Sequence, residues 1–259
     1  MQPDRVGEVS FWYADIGLPA RRPALDGDAT ADVCIIGAGY TGLWTAWYLR
    51  QLNPAVQVIV LEKEFAGFGA SGRNGGWLTG GFAWNHARYM DPSGEAGVRA
   101  MVAAMNGTVD EVIRVAEAEG IDADIRRTDE LMVAVNPAQH ERMLAEVAHR
   151  RAWGEEDRVF AIGQAETLDR VRIPGALGAM VVTNVARVQP AKLVRGLAEA
   201  VERAGVRICE GTAVTAFETG RVTTASGAVV RAPIILRCTE GFTAGLPGLK
   251  REWLPMNSA

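Results

Sequence analysis

Asp32-Val33-Cys34-Ile35-Ile36-Gly37-Ala38-Gly39-Tyr40-Thr41-Gly42 is the stretch on which the fold turns. Its first five residues end an apolar run at a glycine, and a strand buried on both faces has that composition. The three glycines have separate tasks. Gly37 lets the chain leave the strand sharply, Gly39 lets a phosphate approach bare backbone, and Gly42 lets a helix lie close to the sheet. A helix is predicted from Tyr40 to Leu52, where Asn53-Pro54 stops it because proline disfavours helical geometry in the residue before it. Val56 to Leu61 is a second buried strand, so strand, glycine turn, helix and strand form one βαβ unit. The start of that helix offers unpaired N–H groups and a partial positive charge to phosphates. The second strand runs into Glu62, twenty positions after Gly42, and then Lys63. A carboxylate there accepts hydrogen bonds from both ribose hydroxyls of an adenosine and repels a 2′-phosphate, which disfavours NADP. A glycine triplet alone is weak evidence. A tight turn without a ligand would not require all four parts together.

A second glycine-rich stretch follows: Gly67-Phe68-Gly69-Ala70-Ser71-Gly72-Arg73-Asn74-Gly75-Gly76. A nicotinamide-binding domain does not need it, whereas a longer two-electron cofactor lying across the domain does. Small residues admit the pyrophosphate and ring system to the backbone. Ser71 can donate to phosphate, and Arg73 or Asn74 can meet phosphate or the polar edge of a ring. Taken alone, the stretch also reads as a flexible surface loop.

The remaining sequence alternates strand and helix. A polar lead of about thirty residues, carrying Phe11-Trp12-Tyr13, is predicted to pack as an arm on the main body. Helical periodicity runs from Gly94 to Ala118, with Val98, Met101, Val102, Met105, Val109, Val112 and Ile113 near one face. Leu131 to Val135 reads as a strand, after which Asn136 caps a helix with Pro137 at its first position, running to about Arg151. Ala179 to Thr183 is a strand, and Pro190 opens a helix ending near Gly205. Short strands follow at Val206–Cys209, Val214–Glu218 and Arg221–Thr224, then around Val229 and at Ile234–Leu236. The pattern is α/β with short antiparallel strands added.

The segments ADVCIIGAGYTGLWTAWYL, VIVLEKEFAGFGASGRNGGW and RVQPAKLVRGLAEAVERAGVRICEGTAVTAF resemble FAD oxidoreductases of the D-amino-acid-oxidase type. The branch they look most like is that of gamma-glutamylputrescine oxidoreductase, in which a GASGRNGG stretch and an FWYAD lead are typical. The resemblance covers nearly the whole chain. It implies a Rossmann-type FAD-binding domain with an inserted, partial mixed α+β substrate domain. By residue it implies that Gly37, Ala38, Gly39, Tyr40, Thr41 and Gly42 hold the pyrophosphate, and that Glu62 and Lys63 lie at the ribose. Gly69, Ala70, Ser71, Arg73, Asn74, Gly75 and Gly76 are implied to run along the pyrophosphate and flavin. Val214 is implied to meet the adenine through its backbone, and Thr239, with Cys238 and Gly241, to lie near the cofactor. The commoner family pattern at the last position is Ala-Thr-Asn-Gly, from which Arg237-Cys238-Thr239-Glu240 departs. Members of the family continue well beyond the length of this chain, so the resemblance also implies the N-terminal part of a longer protein.

The implied division is an N-terminal arm (1–30), a first FAD-domain part (31–84), a partial substrate domain (85–175) and a second FAD-domain part (176–259). The implied reaction is oxidation of a small amine or amino acid by hydride transfer to flavin, followed by imine hydrolysis, with oxygen or another molecule as electron acceptor. Two other classes fit the same residues: a non-catalytic FAD-binding fragment and an NAD-dependent dehydrogenase.

Composition narrows the field. With 48% hydrophobic and 22% charged residues the chain is an ordinary globular protein able to bury a core. A net charge of −4 without a Lys/Arg run argues against nucleic acid as a partner. No run approaches a membrane span of roughly 18 apolar residues. The charged start without a following apolar stretch argues against a secretory signal, and a cytoplasmic location is expected. Cys34, Cys209 and Cys238 have neither metal-ligand nor disulfide-framework spacing and read as free thiols. His86, His140 and His149 form no metal-spaced set. His140 and His149 are expected on a solvated helix face, while His86, in Trp84-Asn85-His86, stands within reach of a flavin or in ordinary packing. Arg126 and Arg127 are expected just before a strand, offering a bidentate site to a substrate carboxylate or standing as a solvated pair. No catalytic residue is assigned.

Overall fold

The computed structural model describes residues 9–81 and 86–256. The charged start of the chain, Trp84-Asn85 and the last three residues lie outside the described residues. In chain order the elements begin with α1 (Phe11–Ile16), β1 (Ala29–Thr30), β2 (Val33–Ile36), α2 (Tyr40–Leu52) and β3 (Val58–Leu61). Next come β4 (Trp77–Leu78), α3 (Met90–Ala118), β5 (Arg126–Ala134), α4 (Pro137–Arg150), β6 (Val159–Gly163), α5 (Gln164–Arg170) and β7 (Gly178–Arg187). The chain continues with α6 (Pro190–Arg203), β8 (Arg207–Cys209), β9 (Val214–Glu218), β10 (Arg221–Thr224), β11 (Val229–Arg231) and β12 (Ile234–Arg237).

The chain forms two compact units. One comprises Met1–Gly75, Ala118–Ala123 and Gln189–Ala259, the other Gly76–Glu117 and Asp124–Val188. These limits differ from the implied ones at 84 and 176. The reason is strand pairing: β7 hydrogen-bonds to β4, β5 and β6, so both β4 and β7 fall in the second unit.

The first unit contains the βαβ core. Its parallel sheet has the order β12-β2-β3-β8, with Ile235 beside Cys34 and Cys34 beside Ile59. All four residues of β2 and of β3 are buried, as a doubly covered strand requires. Alternate side chains face two layers. Cys34, Ile36, Ile59, Leu61 and Cys209 pack with Val222 and Val230 of a small sheet ordered β1-β11-β10-β9, and with Ala232 just after β11. On the other face Ile35 lies under α2, close enough that a Cβ on Gly42 would come within 3.1 Å of it. Burial pushes the Cys34 thiol up to about 12, which makes it an inert core residue.

The arm packs on this unit as expected. Tyr13 is buried against Phe65 and Ala191, and Trp12 Nε1 donates to the Asn74 carbonyl at 2.7 Å. Arg22 is clamped by Glu202 at 2.6 Å and by the fully buried Glu210 at 2.9 Å, while Glu210 also accepts from Ala66 N at 2.9 Å. The strand expected from Val56 starts at Val58, because Val56 N is held in a turn by the Asn53 carbonyl.

In the second unit β5, β6 and β4 all pair antiparallel with β7. Val109 and Ile113 of α3 cover Ala186, and Met143 and Val147 of α4 cover Met180 and Val182. Of the predicted α3 stripe, Met101 is exposed. Asn136 caps α4 through its side chain, which accepts from Gln139 N at 2.9 Å. β5 begins five residues earlier than Leu131, which draws Arg126 and Arg127 into the strand. β7 extends past Thr183 to Arg187, and β6 and α5 were not anticipated. Among the described residues no helix is long and apolar enough to cross a membrane, and no group of three His, Cys, Asp or Glu side chains is arranged to hold a metal.

Candidate functional site

The first unit holds a cavity of about 450 Å³ at the C-terminal ends of β2 and β3. In an open parallel sheet this is where ligands bind. Its floor is the turn from β2 into α2. Gly37 has φ +106°, and a Cβ there would lie 2.5 Å from the Cys238 carbonyl oxygen, so only glycine fits. A Cβ on Gly42 would lie 2.1 Å from the Gly37 carbonyl oxygen, which brings the start of α2 against the strand. Gly39 caps α2, and the backbone N–H of Tyr40 donates to Ser71 Oγ at 2.8 Å. Ser71 therefore closes the first turn of the helix as an acceptor, which leaves its own hydroxyl proton to be donated elsewhere. Thr41 borders the same space.

Glu62 leaves the end of β3 and lines the cavity. Its carboxylate accepts from Ala38 N and from Glu64 N, both at 2.9 Å. Burial nevertheless pushes its carboxyl above the ordinary glutamate value, against these two donors. The remaining lone pairs on the two oxygens are free to accept hydroxyl donors from a ligand. Lys63, Gly69, Ala70, Val214 and Thr239 also border the cavity, so eleven of the seventeen sequence candidates meet there: these five with Gly37, Gly39, Tyr40, Thr41, Glu62 and Ser71.

The other six have different surroundings. Ala38 acts through its N–H on Glu62, and Gly42 through packing. Arg73 turns away from the cavity. Its Nε donates to the Phe68 carbonyl and its Nη1 to the Val9 carbonyl, each at 2.7 Å, and its guanidinium stacks over Phe68 at 4.7 Å. Asn74 donates to the carbonyls of Ala70 and Ser71, at 3.3 and 3.0 Å, and its own carbonyl receives Trp12. These side chains shape the glycine-rich loop and tie it to the arm, rather than reaching the cavity. Gly75 does not border the cavity. Gly76, at φ +76°, accepts from Val188 N at 2.8 Å within the second unit.

Sequence reasoning missed one wall. Ala213, Phe242, Gly245 and Leu246 line the cavity with Cys238 and Glu240. They lie after β8 and after β12, the latter group in and around the short 3₁₀ turn Glu240–Gly245, where no periodicity marks them. Glu240 sits at φ +43°, an uncommon conformation for a residue with a side chain, and Thr239 Oγ1 meets the buried Thr243 Oγ1 at 2.7 Å. Gly241 does not border the cavity.

His86 belongs to the second unit. It is buried, stacks on Trp153 with ring centroids 5.2 Å apart, and its Nδ1 lies 3.0 Å from His149 Nε2. His149 is thus a packed partner rather than a solvated residue. Burial first, then His149, holds the His86 imidazole below its ordinary value.

A glycine turn that closes on a helix start, a carboxylate at the end of the next strand and a hydroxyl donor across the gap together fit an adenosine diphosphate moiety. Comparison with known proteins agrees with that chemistry. Gamma-glutamylputrescine oxidoreductase of Escherichia coli (strain K12) is 30% identical over 216 residues, which are 81% of this chain and 48% of that protein. A probable oxidoreductase OrdL of Haemophilus influenzae is 29% identical over 264 residues, 96% of this chain and 59% of that one. The chain therefore spans about half the length of the curated relatives it matches. Among solved structures, L-amino acid deaminase from Proteus myxofaciens superposes with a TM-score of 0.71 at 19% identity, over 92% of this chain and 51% of that one. Glycine oxidase from Geobacillus kaustophilus gives 0.65 at 23% identity, over 84% and 57%. Residues 32–258 match the family described as FAD dependent oxidoreductase, DAO, and with the glycine turn and Glu62 on one cavity, the chain belongs to that family.

Proposed function

We propose that this chain binds FAD in the 450 Å³ cavity and serves the oxidation of a small amine or amino acid. The observation that carries the reading is the convergence of Gly37, Gly39, the start of α2, Glu62 and Ser71 on that one cavity. Gly39 and the first turn of α2 would take the pyrophosphate, Ser71 would donate to a phosphate oxygen, and Glu62 would accept the ribose hydroxyls. Ala213 and Val214 would lie along the adenine. On this reading the first compact unit is the FAD-binding domain and the second is part of a substrate domain.

Held by these residues, FAD would supply a two-electron oxidant for the carbon–nitrogen bond of an amine, and water would hydrolyse the oxidised product. The protein's own residues bind and orient. Gly37 and Gly42 hold the turn, Ser71 fixes the helix start, and the arm residues Trp12 and Tyr13 hold the glycine-rich loop in place. No side chain of this chain is assigned a proton transfer, and the substrate would react as the neutral amine. Relatives named for an amine, an L-amino acid and glycine support an amine or amino-acid substrate, with oxygen or another molecule as the acceptor.

The test is direct. The apoprotein is titrated with FAD, and the loaded protein is mixed anaerobically with a panel of amines and amino acids while flavin absorbance is followed. Stoichiometric FAD and bleaching by one class of amine are expected. A protein that takes up no FAD overturns the proposal. FAD uptake with no bleaching by any amine leaves the binding half standing and favours a non-catalytic FAD-binding module.

A further inference from the structure

Glu62 does not stand alone at the cavity. It follows the last residue of β3, and Glu210 follows the last residue of β8. Those last residues, Leu61 and Cys209, pair in the parallel sheet. Neighbouring strands lie about 4.8 Å apart, so the two carboxylates leave the sheet side by side. Glu64 follows two positions after Glu62. Glu210 and Glu64, as like charges, add to burial in raising the Glu62 carboxyl.

The arm supplies the balancing charge. Arg21 pairs with Glu64 and Arg22 with Glu210, each at 2.9 Å. The two pairs are unequal. Arg21 is 56% exposed, and water screens its pair. The Glu210 side chain is fully buried, and that of Arg22 is nearly so. Glu210 Oε2 also accepts the backbone N–H of Arg22 at 2.8 Å. Leu25 N donates to Thr212 Oγ1 at 3.0 Å, and the Thr212 hydroxyl donates to the Glu210 carbonyl at 3.0 Å. Such a carboxylate needs its partner, because removing one member of a buried pair leaves an uncompensated charge.

From Glu210 a chain of bonds runs to the cavity. Glu210 Oε1 accepts from Ala66 N at 2.9 Å, Gly67 N donates to the Ala38 carbonyl at 3.0 Å, and Ala38 N donates to Glu62 Oε2 at 2.9 Å. The ring closes through the backbone, where Glu62 N donates to the Cys209 carbonyl and Thr212 N to the Glu62 carbonyl, both at 2.8 Å. All of these residues belong to the first unit. Arg22 itself does not line the cavity, so any influence it has there passes through Glu210.

We propose that Arg22 is a positioning residue for the cofactor cavity: by neutralising Glu210 it holds the wall on which Glu62 stands, and so sets how tightly the cavity takes FAD. The effect on FAD rests on the cofactor reading above, whereas the hold on Glu62 does not. The other titratable groups about Glu62 are Lys63, Tyr40, Cys238 and Glu240, which share its cavity, and Glu64. Glu202 of α6 reaches the cluster through Arg22, at 2.6 Å.

The full chain, isotopically labelled at its glutamate carboxyls, is titrated with acid without FAD and followed by NMR, the resonances being assigned with Glu62→Gln and Glu210→Gln. In Arg22→Gln the Glu62–Glu210 pair should take up its first proton at a higher pH than in the parent chain, because a balancing cation is gone. Arg22→Lys keeps the charge and should restore the parent titration, and Arg21→Gln should leave it unchanged. FAD titration of the same proteins should show affinity about tenfold weaker in Arg22→Gln, an ordinary size for coupling between two sites, and within about twofold of the parent in Arg21→Gln. Glu210→Gln and the double variant Arg22→Gln/Glu210→Gln carry the test even if Arg22→Gln alone does not fold. Once the Glu210 charge is gone, removing Arg22 should no longer change FAD affinity. An unchanged titration or an unchanged FAD affinity in Arg22→Gln overturns the proposal, and so does a loss of affinity from Arg22→Gln in the Glu210→Gln background. A shifted titration in a parent chain and variants that take up no FAD sinks the cofactor reading alone.

Discussion

At the scale of single residues, Glu62 and the glycines of the turn divide the work between folding and binding. Burial is the largest influence on Glu62 and raises its folded pKa above its unfolded one. Between those two values the folded chain holds a proton that the unfolded chain has lost. Without a ligand Glu62 therefore costs stability as the pH rises through this window. On the proposed reading, ribose hydroxyls donating to the carboxylate would favour its charged form and link FAD binding to Glu62 ionisation. FAD affinity should fall as the pH is lowered through the raised pKa. Glu62→Gln should weaken binding at neutral pH by about 1–3 kcal/mol, the worth of a hydrogen bond to a charged group, and flatten that pH dependence. Fluorescence titration of the apoprotein across pH checks both, and an unchanged affinity removes Glu62 from the site. The glycines separate more sharply. A Cβ on Gly42 would meet the Gly37 carbonyl oxygen at 2.1 Å, so Gly42→Ala should lower the melting temperature itself. At Gly39 the nearest atom to a new Cβ is Ser71 Oγ at 3.0 Å, the end of a small side chain facing the cavity. Gly39→Val should accordingly give a folded protein that takes up no flavin. Stoichiometric FAD in that variant would contradict the phosphate-cradle assignment.

At the scale of elements, the βαβ unit was legible because each of its signals is local. A continuous apolar run, glycines at fixed offsets and a proline stop predict a helix from about Tyr40 to Leu52, which is where α2 lies. The Asn136 cap of α4 and the Pro190 start of α6 were legible for the same reason. What could not be read is pairing between distant strands. Nothing local says that β7 reaches Arg187 and carries β4 with it, and this is why the unit limits moved. Arg73 and Asn74 show the same limit inside the site: the Arg73 guanidinium and the Asn74 backbone carbonyl meet the arm, whose position depends on the buried Tyr13 and on Arg22 with Glu210. His149 was misjudged because its partner lies 63 positions earlier. That pairing has a consequence in acid. His86 faces His149 and Trp153, with Arg150, Glu155 and Glu146 as the nearby charges. Its folded pKa lies below its unfolded one, near 6.5. As the pH falls from there, the unfolded chain gains the proton first and the folded state loses stability. Melting temperature should therefore drop as the pH falls below about 6.5, with a change in Trp153 emission as the ring stack opens. His149→Gln removes the like-charged partner and should lessen the drop. A pH-independent melt across this range would show that the pair carries no such linkage.

At the scale of the whole molecule, the chain spans about half the length of the curated relatives it matches, and it forms two units that each bury a core of their own. The parallel sheet of the first unit tests how such a chain behaves in solution. Its two edges, among the described residues, are β8 and β12. β8 is three residues long, and its Arg207 is held by Asp26 at 2.7 Å, which suits an edge that faces water. β12 is four residues long and pairs only with β2. Its Ile234 is 51% exposed, and Ile235 and Leu236 are half-buried. No lysine or proline lies in β12, and unpaired N–H and C=O groups beside apolar side chains make a template for another strand. The chain should therefore associate with increasing concentration, through this edge. Ile234→Lys should suppress the association and shift stability by no more than about 0.5 kcal/mol, as a surface change away from the core does. Sedimentation velocity over a hundredfold concentration range would decide the matter. A monomer throughout removes β12 as an open edge, and association that persists in Ile234→Lys moves the contact elsewhere on the molecule. If the variant is monomeric and takes up FAD with the affinity of the parent chain, the edge and the cofactor cavity are independent features of one sheet. Such a result fits their geometry, since the cavity opens beyond the strand ends and the free edge runs along the side of β12.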